Sequence, residues 1–245
     1  MKQFGLIGYP LSHSFSKGYF AEKFLNENIT DSQYDIFPLQ KIDDFTSLCT
    51  SYPNLVGLNV TIPYKEQIIP YLDALDDEAK AIGAVNTIKF DNGKKIGYNS
   101  DGYGFEMSLR PLLKPHAVSA LILGTGGASK AVEYVLKKLN IAYQYVSRKK
   151  SANTITYEEL NAGNLLRNNT IIINTTPVGM YPNIDAAPPI NYEEINEQFL
   201  LYDLVYNPEE TQFIKKGKAN GAQTKNGLEM LYLQAERSWQ TWNSL

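Results

Sequence analysis

Short polar groups stand just beyond the apolar runs of the first hundred residues. Ser14 and Ser16 follow the run that closes at Gly8, Thr61 and Lys65 lie in NVTIPYK, Asn86 in GAVNT and Asp101 in NSDG. Residues following the carboxyl ends of parallel strands share one edge of a sheet, so this set can line a single crevice built to hold a small polar molecule. Taken singly, each also has a plainer use. Ser16 can cap a helix, Thr61 and Asn86 can close turns, Asp101 can cap the next helix, and Lys65 can be a surface lysine. A different chemistry is written further on, where the run 117–123 opens directly onto Gly124-Thr-Gly126-Gly127-Ala128-Ser129. A buried strand, a glycine-rich turn and a helix form a dinucleotide-binding unit, in which backbone N–H groups approach a pyrophosphate at the positive end of the helix. Ser129 stands where a third glycine is usual. About 20 residues on, an NAD site would carry a carboxylate, whereas this chain has Ser147-Arg148-Lys149-Lys150. A guanidinium beside ammonium groups suits a 2′-phosphate and favours NADP, a solvated basic loop being the plainer reading.

The elements that must position these residues follow from hydrophobic period. Gln3 to Gly8 reads as a buried strand, Ser16 to Asn28 as a helix with Phe20, Phe24 and Leu25 on one side, Tyr34 to Phe37 as a strand, Asp43 to Ser51 as a helix, and Leu55 to Ile62 as a buried strand cut off by Pro63. Asp76 to Ile82 predicts a short helix. Val85 to Phe90 and Lys95 to Tyr98 flank Asp91-Asn92-Gly93, a hairpin signal, so the first sheet is mixed. A boundary falls near 101. Beyond it a helix to about Leu113, the strand 117–123, a helix from Ala128 to Leu139, strands at Tyr143 to Val146, Thr170 to Asn174 and Phe199 to Leu204, and a helix from Tyr157 alternate as a parallel sheet requires. From Gly227 to Trp242, Leu228, Leu231, Ala235, Trp239 and Trp242 recur at helical spacing with no strand after them. Such a helix is expected to return to the first domain, giving two crossings and a cleft.

Composition removes other classes. With 245 residues, 43% hydrophobic and 20% charged, the chain is long enough for one large or two small α/β units. A net charge of −3 without runs of like charge leaves no footprint for nucleic acid or an anionic membrane. No stretch reaches the roughly 20 apolar residues of a membrane span, and the opening MKQFGLIGYP is too short and broken for a signal peptide. The cytoplasm is the expected location. One cysteine, Cys49, forms no intrachain disulfide, and with His13 and His116 as the histidines no metal site is expected.

The segments GYPLSHSFS, GLNVTIPYK, GAVNT, NSDG, GTGGAS, NTTPVGM, YDLVYNP and NGLEMLYLQA, in this order and spread over nearly the whole length, resemble the shikimate dehydrogenase family. The resemblance implies an α/β protein of two lobes: a mixed-sheet substrate-binding domain over 1–101 plus 226–245, and a Rossmann-type NADP-binding domain over 102–225. It implies NADPH-dependent, reversible reduction of 3-dehydroshikimate to shikimate. Ser14 and Ser16, with Tyr206, would hold the substrate carboxylate, and Thr61, Asn86, Asp101 and Gln234 the ring hydroxyls. Lys65 and Asp101 would be the catalytic pair. Gly124, Gly126, Gly127, Ala128 and Ser129 would meet the pyrophosphate, Ser147, Arg148 and Lys149 the 2′-phosphate, and Thr175, Leu204 and Gly227 the ribose and nicotinamide. Asp77 also falls at a family position near the cofactor, although an aspartate at a helix start has its own use there.

The chain departs from the family in three places. Lys17 replaces the proline usual after the second serine, SRKK lacks the usual threonine and later arginine, and the chain stops soon after Trp242. The first adds a charge beside the carboxylate site, and the last implies looser closure. Two other readings remain at this level: a quinate/shikimate dehydrogenase using NAD, against which the basic 148–150 segment argues, and a non-catalytic shikimate-binding homologue, against which the retention of Lys65 and Asp101 argues. Cys49, with no basic partner in sequence, reads as a buried apolar residue rather than a nucleophile. Both monomer and homodimer are compatible with the sequence.

Overall fold

The computed structural model describes residues 1–11, 15–114, 119–163, 165–168 and 170–244. Ser14, His13, His116 and the expected strand start at 117–118 lie outside them. By packing, the chain divides into unit 1, Met1–Ser100 with Gln234–Leu245, and unit 2, Asp101–Leu233.

Unit 1 carries β1 (Lys2–Gly8), α1 (Phe15–Asn26), β2 (Ser32–Pro38), α2 (Asp44–Ser51), β3 (Leu55–Val60), β4 (Ala74–Leu75), α3 (Asp77–Ile82), β5 (Thr87–Asp91) and β6 (Lys94–Tyr98). Its six-stranded sheet has the order β2-β1-β3-β5-β6-β4. β1 runs parallel to β2 and β3, while β5 is antiparallel to both β3 and β6, so the sheet is mixed. β1 reads as a continuous apolar run because both its faces are covered. Phe4 and Leu6 enter a core with Phe20, Phe24, Tyr34 and Trp242, and Ile7 enters the opposite one with Phe37, Phe45, Leu58 and Ile68. The Asn92-Gly93 turn joins β5 to β6 with φ of 49° and 77°, the geometry that this dipeptide predicts.

Unit 2 carries most of α4 (Ser100–Leu109), then β7 (Ser119–Leu123), α5 (Gly127–Lys138), β8 (Ala142–Ser147), β9 (Thr154–Thr156), α6 (Tyr157–Ala162), β10 (Ile171–Asn174), β11 (Leu200–Asp203), α7 (Gln212–Ala219), β12 (Gln223–Lys225) and the start of α8 (Leu228–Asn243). Its sheet has the order β12-β11-β10-β7-β8-β9, with every neighbouring pair parallel. Counted from β7 this is the 3-2-1-4-5-6 order of a doubly wound dinucleotide fold, with the switch point between β7 and β10. Ile122 and Ile173 pack on one face with Phe105, Val132 and Tyr202, and Leu121 and Leu123 on the other with Leu160, Leu201 and Phe213. Asp101 and residues 226–233 fall with this unit, Met230 lying in its core.

The short strands β4, β9 and β12 and the helix α7 are not predicted by period. Two or three residues carry no period, and their sheet neighbours make them strands. α7 announces itself only through Thr211, whose side chain caps it by accepting from the Ile214 N–H at 3.3 Å.

The last helix, α8, has residues in both units. Its C-terminal part lies in unit 1, where the Trp242 ring stands 5.0 Å from Phe4 and 5.5 Å from Phe20, and Trp242 Nε1 donates to the Ile88 carbonyl at 3.0 Å. Lys89 Nζ donates to the Ser244 carbonyl at 2.5 Å, so packing continues to the last described residue.

Candidate functional site

At the carboxyl edge of the first sheet, backbone bonds draw separate stretches together. The Thr61 N–H donates to the Ile7 carbonyl at 2.9 Å, Val60 N–H to the Asn86 carbonyl at 2.8 Å, and Val85 N–H to the Lys65 carbonyl at 2.7 Å. Lys65 is half-buried, so it is not a lysine in bulk solvent. Asn86 reaches this edge by a route the parallel-strand argument does not contain. It precedes β5, whose antiparallel direction puts its amino end beside the carboxyl end of β3, with Asn59 opposite Thr87. β6 returns to the same edge, Tyr98 pairing with Thr87, and delivers Asn99, Ser100 and Asp101.

Beneath this edge lies a buried polar network within unit 1. Tyr34 shares a hydrogen bond with the Ser16 side chain and donates to Asn59 Oδ1 at 2.9 Å; burial pushes the Tyr34 phenol well above its ordinary range. Asn59 Nδ2 donates to Ser238 Oγ at 2.9 Å, and Ser238 lies 2.8 Å from Thr87 Oγ1 and 3.1 Å from Ser100 Oγ. Asn86 Nδ2 donates to Ser100 Oγ at 3.0 Å and to Gln234 Oε1 at 3.2 Å, and Asn86 Oδ1 accepts from the Ser100 N–H at 2.7 Å. Buried amides and hydroxyls are tolerated only when paired, and a fully paired set holds each member in one orientation. Ser16, Asn86 and Gln234 are therefore fixed relative to one another, although 218 positions separate the first from the last in sequence.

Several single-residue expectations change. Ser16 is the second residue of α1 rather than its cap, and its hydroxyl serves Tyr34. Lys17 directs its ammonium to Asp35 at 3.5 Å. Asp76, not Asp77, caps α3, accepting from the Ala79 N–H at 2.8 Å, and Asp77 is exposed in unit 1. Asp101, the second residue of α4, is 6% exposed, and Tyr206 is half-buried with its phenol pushed up by burial; both belong to unit 2.

In unit 2 the glycine loop leaves β7 at the switch point. Gly124 has a φ of +103°, and a Cβ there would stand 2.7 Å from Thr176 Cγ2 and 2.9 Å from Thr175 Oγ1, so only glycine fits. At Gly126 a Cβ would meet nothing within 4 Å, leaving the outer side of the turn open. Gly127 and Ala128 open α5, and their N–H groups belong to the first turn, which has no intrahelical acceptors. This loop suits a pyrophosphate. Ser129 is buried, and its hydroxyl donates to the Gly126 carbonyl at 2.6 Å, so it closes the turn instead of facing outward. Ser147 ends β8, followed by exposed Arg148 and Lys149; among the described residues neither meets a carboxylate, whereas Lys150 pairs with Glu159. Thr175 follows β10 and is held to the Leu123 carbonyl by its N–H at 2.9 Å and its hydroxyl at 2.7 Å. Gly227 lies against the loop after β11, since a Cβ there would fall 2.1 Å from the Leu204 carbonyl oxygen.

Residues not singled out in sequence do much of the positioning: Tyr34, Asn59, Thr87, Ser100 and Ser238 in unit 1, and Asn174, Asp203 and Thr211 in unit 2. The signal available for three of them is a polar residue at or near the end of a buried apolar strand, as in LVGLNV, IIIN and LLYD. Among the described residues no cluster of side chains suits a metal ion.

A family model described as the shikimate dehydrogenase substrate binding domain matches residues 6–88. A shikimate dehydrogenase (NADP(+)) of Methanococcus maripaludis is 40% identical over 261 residues, covering 98% of this chain and 91% of its own. The crystal structure of a shikimate dehydrogenase from Peptoclostridium difficile superposes with a TM-score of 0.85 at 41% identity, over 99% of this chain and 91% of that one. That of Thermus thermophilus shikimate 5-dehydrogenase, in complex with NADP(H) and shikimate, does so with a TM-score of 0.87 at 28% identity, over 100% and 94%.

Proposed function

Because the chain belongs to the shikimate dehydrogenase family, we propose that it catalyses the reversible, NADPH-dependent reduction of 3-dehydroshikimate to shikimate, the oxidoreductase step of the route to chorismate and the aromatic amino acids. The observation that carries this reading is the paired network that holds Ser16, Asn86 and Gln234 at the sheet edge where Thr61 and Lys65 also stand. A polyhydroxylated ring acid needs many short neutral donors and acceptors, and a site that pairs each hydroxyl rejects analogues lacking one.

Ser14, Ser16 and Tyr206 take the carboxylate, and Thr61, Asn86, Asp101 and Gln234 the hydroxyls. A ring hydroxyl at Asn86 takes over the amide hydrogen now given to Gln234 at 3.2 Å, the longer of its two contacts. Bound NADPH supplies the hydride. As negative charge grows on the C3 oxygen, the Lys65 ammonium stabilises it and gives it a proton, and Asp101 orients both the lysine and the hydroxyl. In the reverse direction Lys65 takes the proton back.

Gly124, Gly126, Gly127, Ala128 and the turn closed by Ser129 hold the pyrophosphate. Ser147, Arg148 and Lys149 receive the 2′-phosphate, and Thr175, Leu204 and Gly227 border the nicotinamide end. Asp77 is retained only as a contact near the cofactor. Two exposed cations without carboxylate partners among the described residues favour NADP over NAD. In this reading residues 1–101 with 226–245 serve the substrate and 102–225 the dinucleotide, and the chain works in the cytoplasm as a monomer or homodimer. No described helix is long and apolar enough to cross a membrane.

The test follows reduced-nicotinamide absorbance with 3-dehydroshikimate, comparing NADPH with NADH, and then offers shikimate or quinate in reverse. Turnover with NADPH and preference for shikimate are expected. Equal use of quinate overturns the narrow assignment, and no turnover overturns the enzyme.

A further inference from the structure

Asp203 ends β11 and is fully buried, yet no role in the proposed chemistry uses it. Its register partner on β10 is Asn174, also fully buried. Asp203 Oδ1 accepts from Asn174 Nδ2 at 2.9 Å and from the Val205 N–H at 3.0 Å, and Oδ2 accepts from Thr211 Oγ1 at 2.6 Å. Asn174 carries the tie onward. Its Oδ1 accepts from the Thr176 N–H at 3.1 Å and hydroxyl at 2.6 Å, and its Nδ2 also donates to the Val178 carbonyl at 3.3 Å. One carboxylate thus fixes the loop after β10, the loop after β11 and the cap of α7.

Those loops carry Thr175, Leu204 and Tyr206, and the first is also bonded to Leu123, from which the glycine loop departs. A buried carboxylate costs desolvation that a neutral or apolar side chain would avoid, so its presence calls for a positional reason. We propose that Asp203, through Asn174 and Thr211, is a positioning residue that sets the nicotinamide end of the dinucleotide site while leaving the adenosine end to the β8 segment. This inference rests on the dinucleotide reading above.

The experiment compares full-length wild type, D203A, D203N and T211V, titrating each with NADPH and with adenosine 2′,5′-bisphosphate, which occupies the adenosine end alone, and measuring kcat and the KM for NADPH. In D203A the three donors lose their acceptor. NADPH affinity and kcat should each fall about tenfold or more, with bisphosphate affinity held within about twofold. D203N should recover most of the loss, because its amide oxygen can serve Asn174 and Val205 while its NH2 donates to a turned Thr211 hydroxyl. T211V removes one donor and should shift NADPH binding by roughly threefold in the same direction, which decides the matter if D203A does not fold.

Equal loss for both ligands, unchanged NADPH binding and kcat, or failure of D203N to rescue overturns the proposal. Absence of turnover in wild type would instead remove the dehydrogenase reading, and the split between the two binding constants would still decide this one.

Discussion

In the proposed reaction the chemistry turns on Lys65. Its carbonyl accepts from the Val85 N–H, one residue before Asn86, and its side chain is half-buried rather than fully in bulk water. Lys65→Ala should lower kcat by a factor on the order of 10² to 10⁴ while the KM for 3-dehydroshikimate changes little, the pattern of a group acting mainly in the transition state. Steady-state kinetics with NADPH checks this, and a kcat near wild type removes Lys65 from the mechanism. Lys65, Asn86 and the glycines were readable as candidates because several polar residues and a glycine-rich turn stand together just beyond apolar runs. Tyr34, Thr87 and Ser238 were not, since a tyrosine in a strand or a serine in a helix reads as filler until its partner is known.

Among the elements, α8 couples packing to the site. Its apolar spacing is plain in sequence, but its polar contribution is not: Ser238, on the buried side, reaches Asn59, Thr87 and Ser100, and Gln234 one turn earlier meets Asn86. Trp242 anchors the end of the helix among Phe4, Phe20 and Phe24. Trp242→Ala should cost about 3–5 kcal/mol in denaturant unfolding, since it empties a large buried volume and removes the indole donor to the Ile88 carbonyl. It should also raise the KM for 3-dehydroshikimate, because Gln234 and Ser238 ride on the same helix. A loss below about 1 kcal/mol would mean that these turns contribute little to the core. The described end of α8 is thus anchored in unit 1.

For the whole molecule, stability carries the signature of Asp203. Burial raises its carboxyl from 3.8 to about 6, against the pull of its three donors, so at neutral pH it is ionised and costly. The folded state holds the proton more tightly than the unfolded one, so this group makes stability fall as pH rises from about 4 to about 6, by about 3 kcal/mol in all. Unfolding free energies of wild type and D203N at pH 4 and pH 7 test the sign: wild type should lose more on going to pH 7. An equal change in both proteins would show that Asp203 does not titrate in this range.

Alone, the order of residues determined two α/β units, a glycine turn after a buried strand and a polar set beside strand ends, because hydrophobic period and turn chemistry are local properties. Only the tertiary structure decided that β5 pairs antiparallel with β3 and so presents Asn86 at the working edge, that Ser129 turns inward, and that buried Asn59 and Asp203 tie distant segments together. Hydrogen-bond partners far apart in the chain are chosen by packing, and no local pattern records that choice.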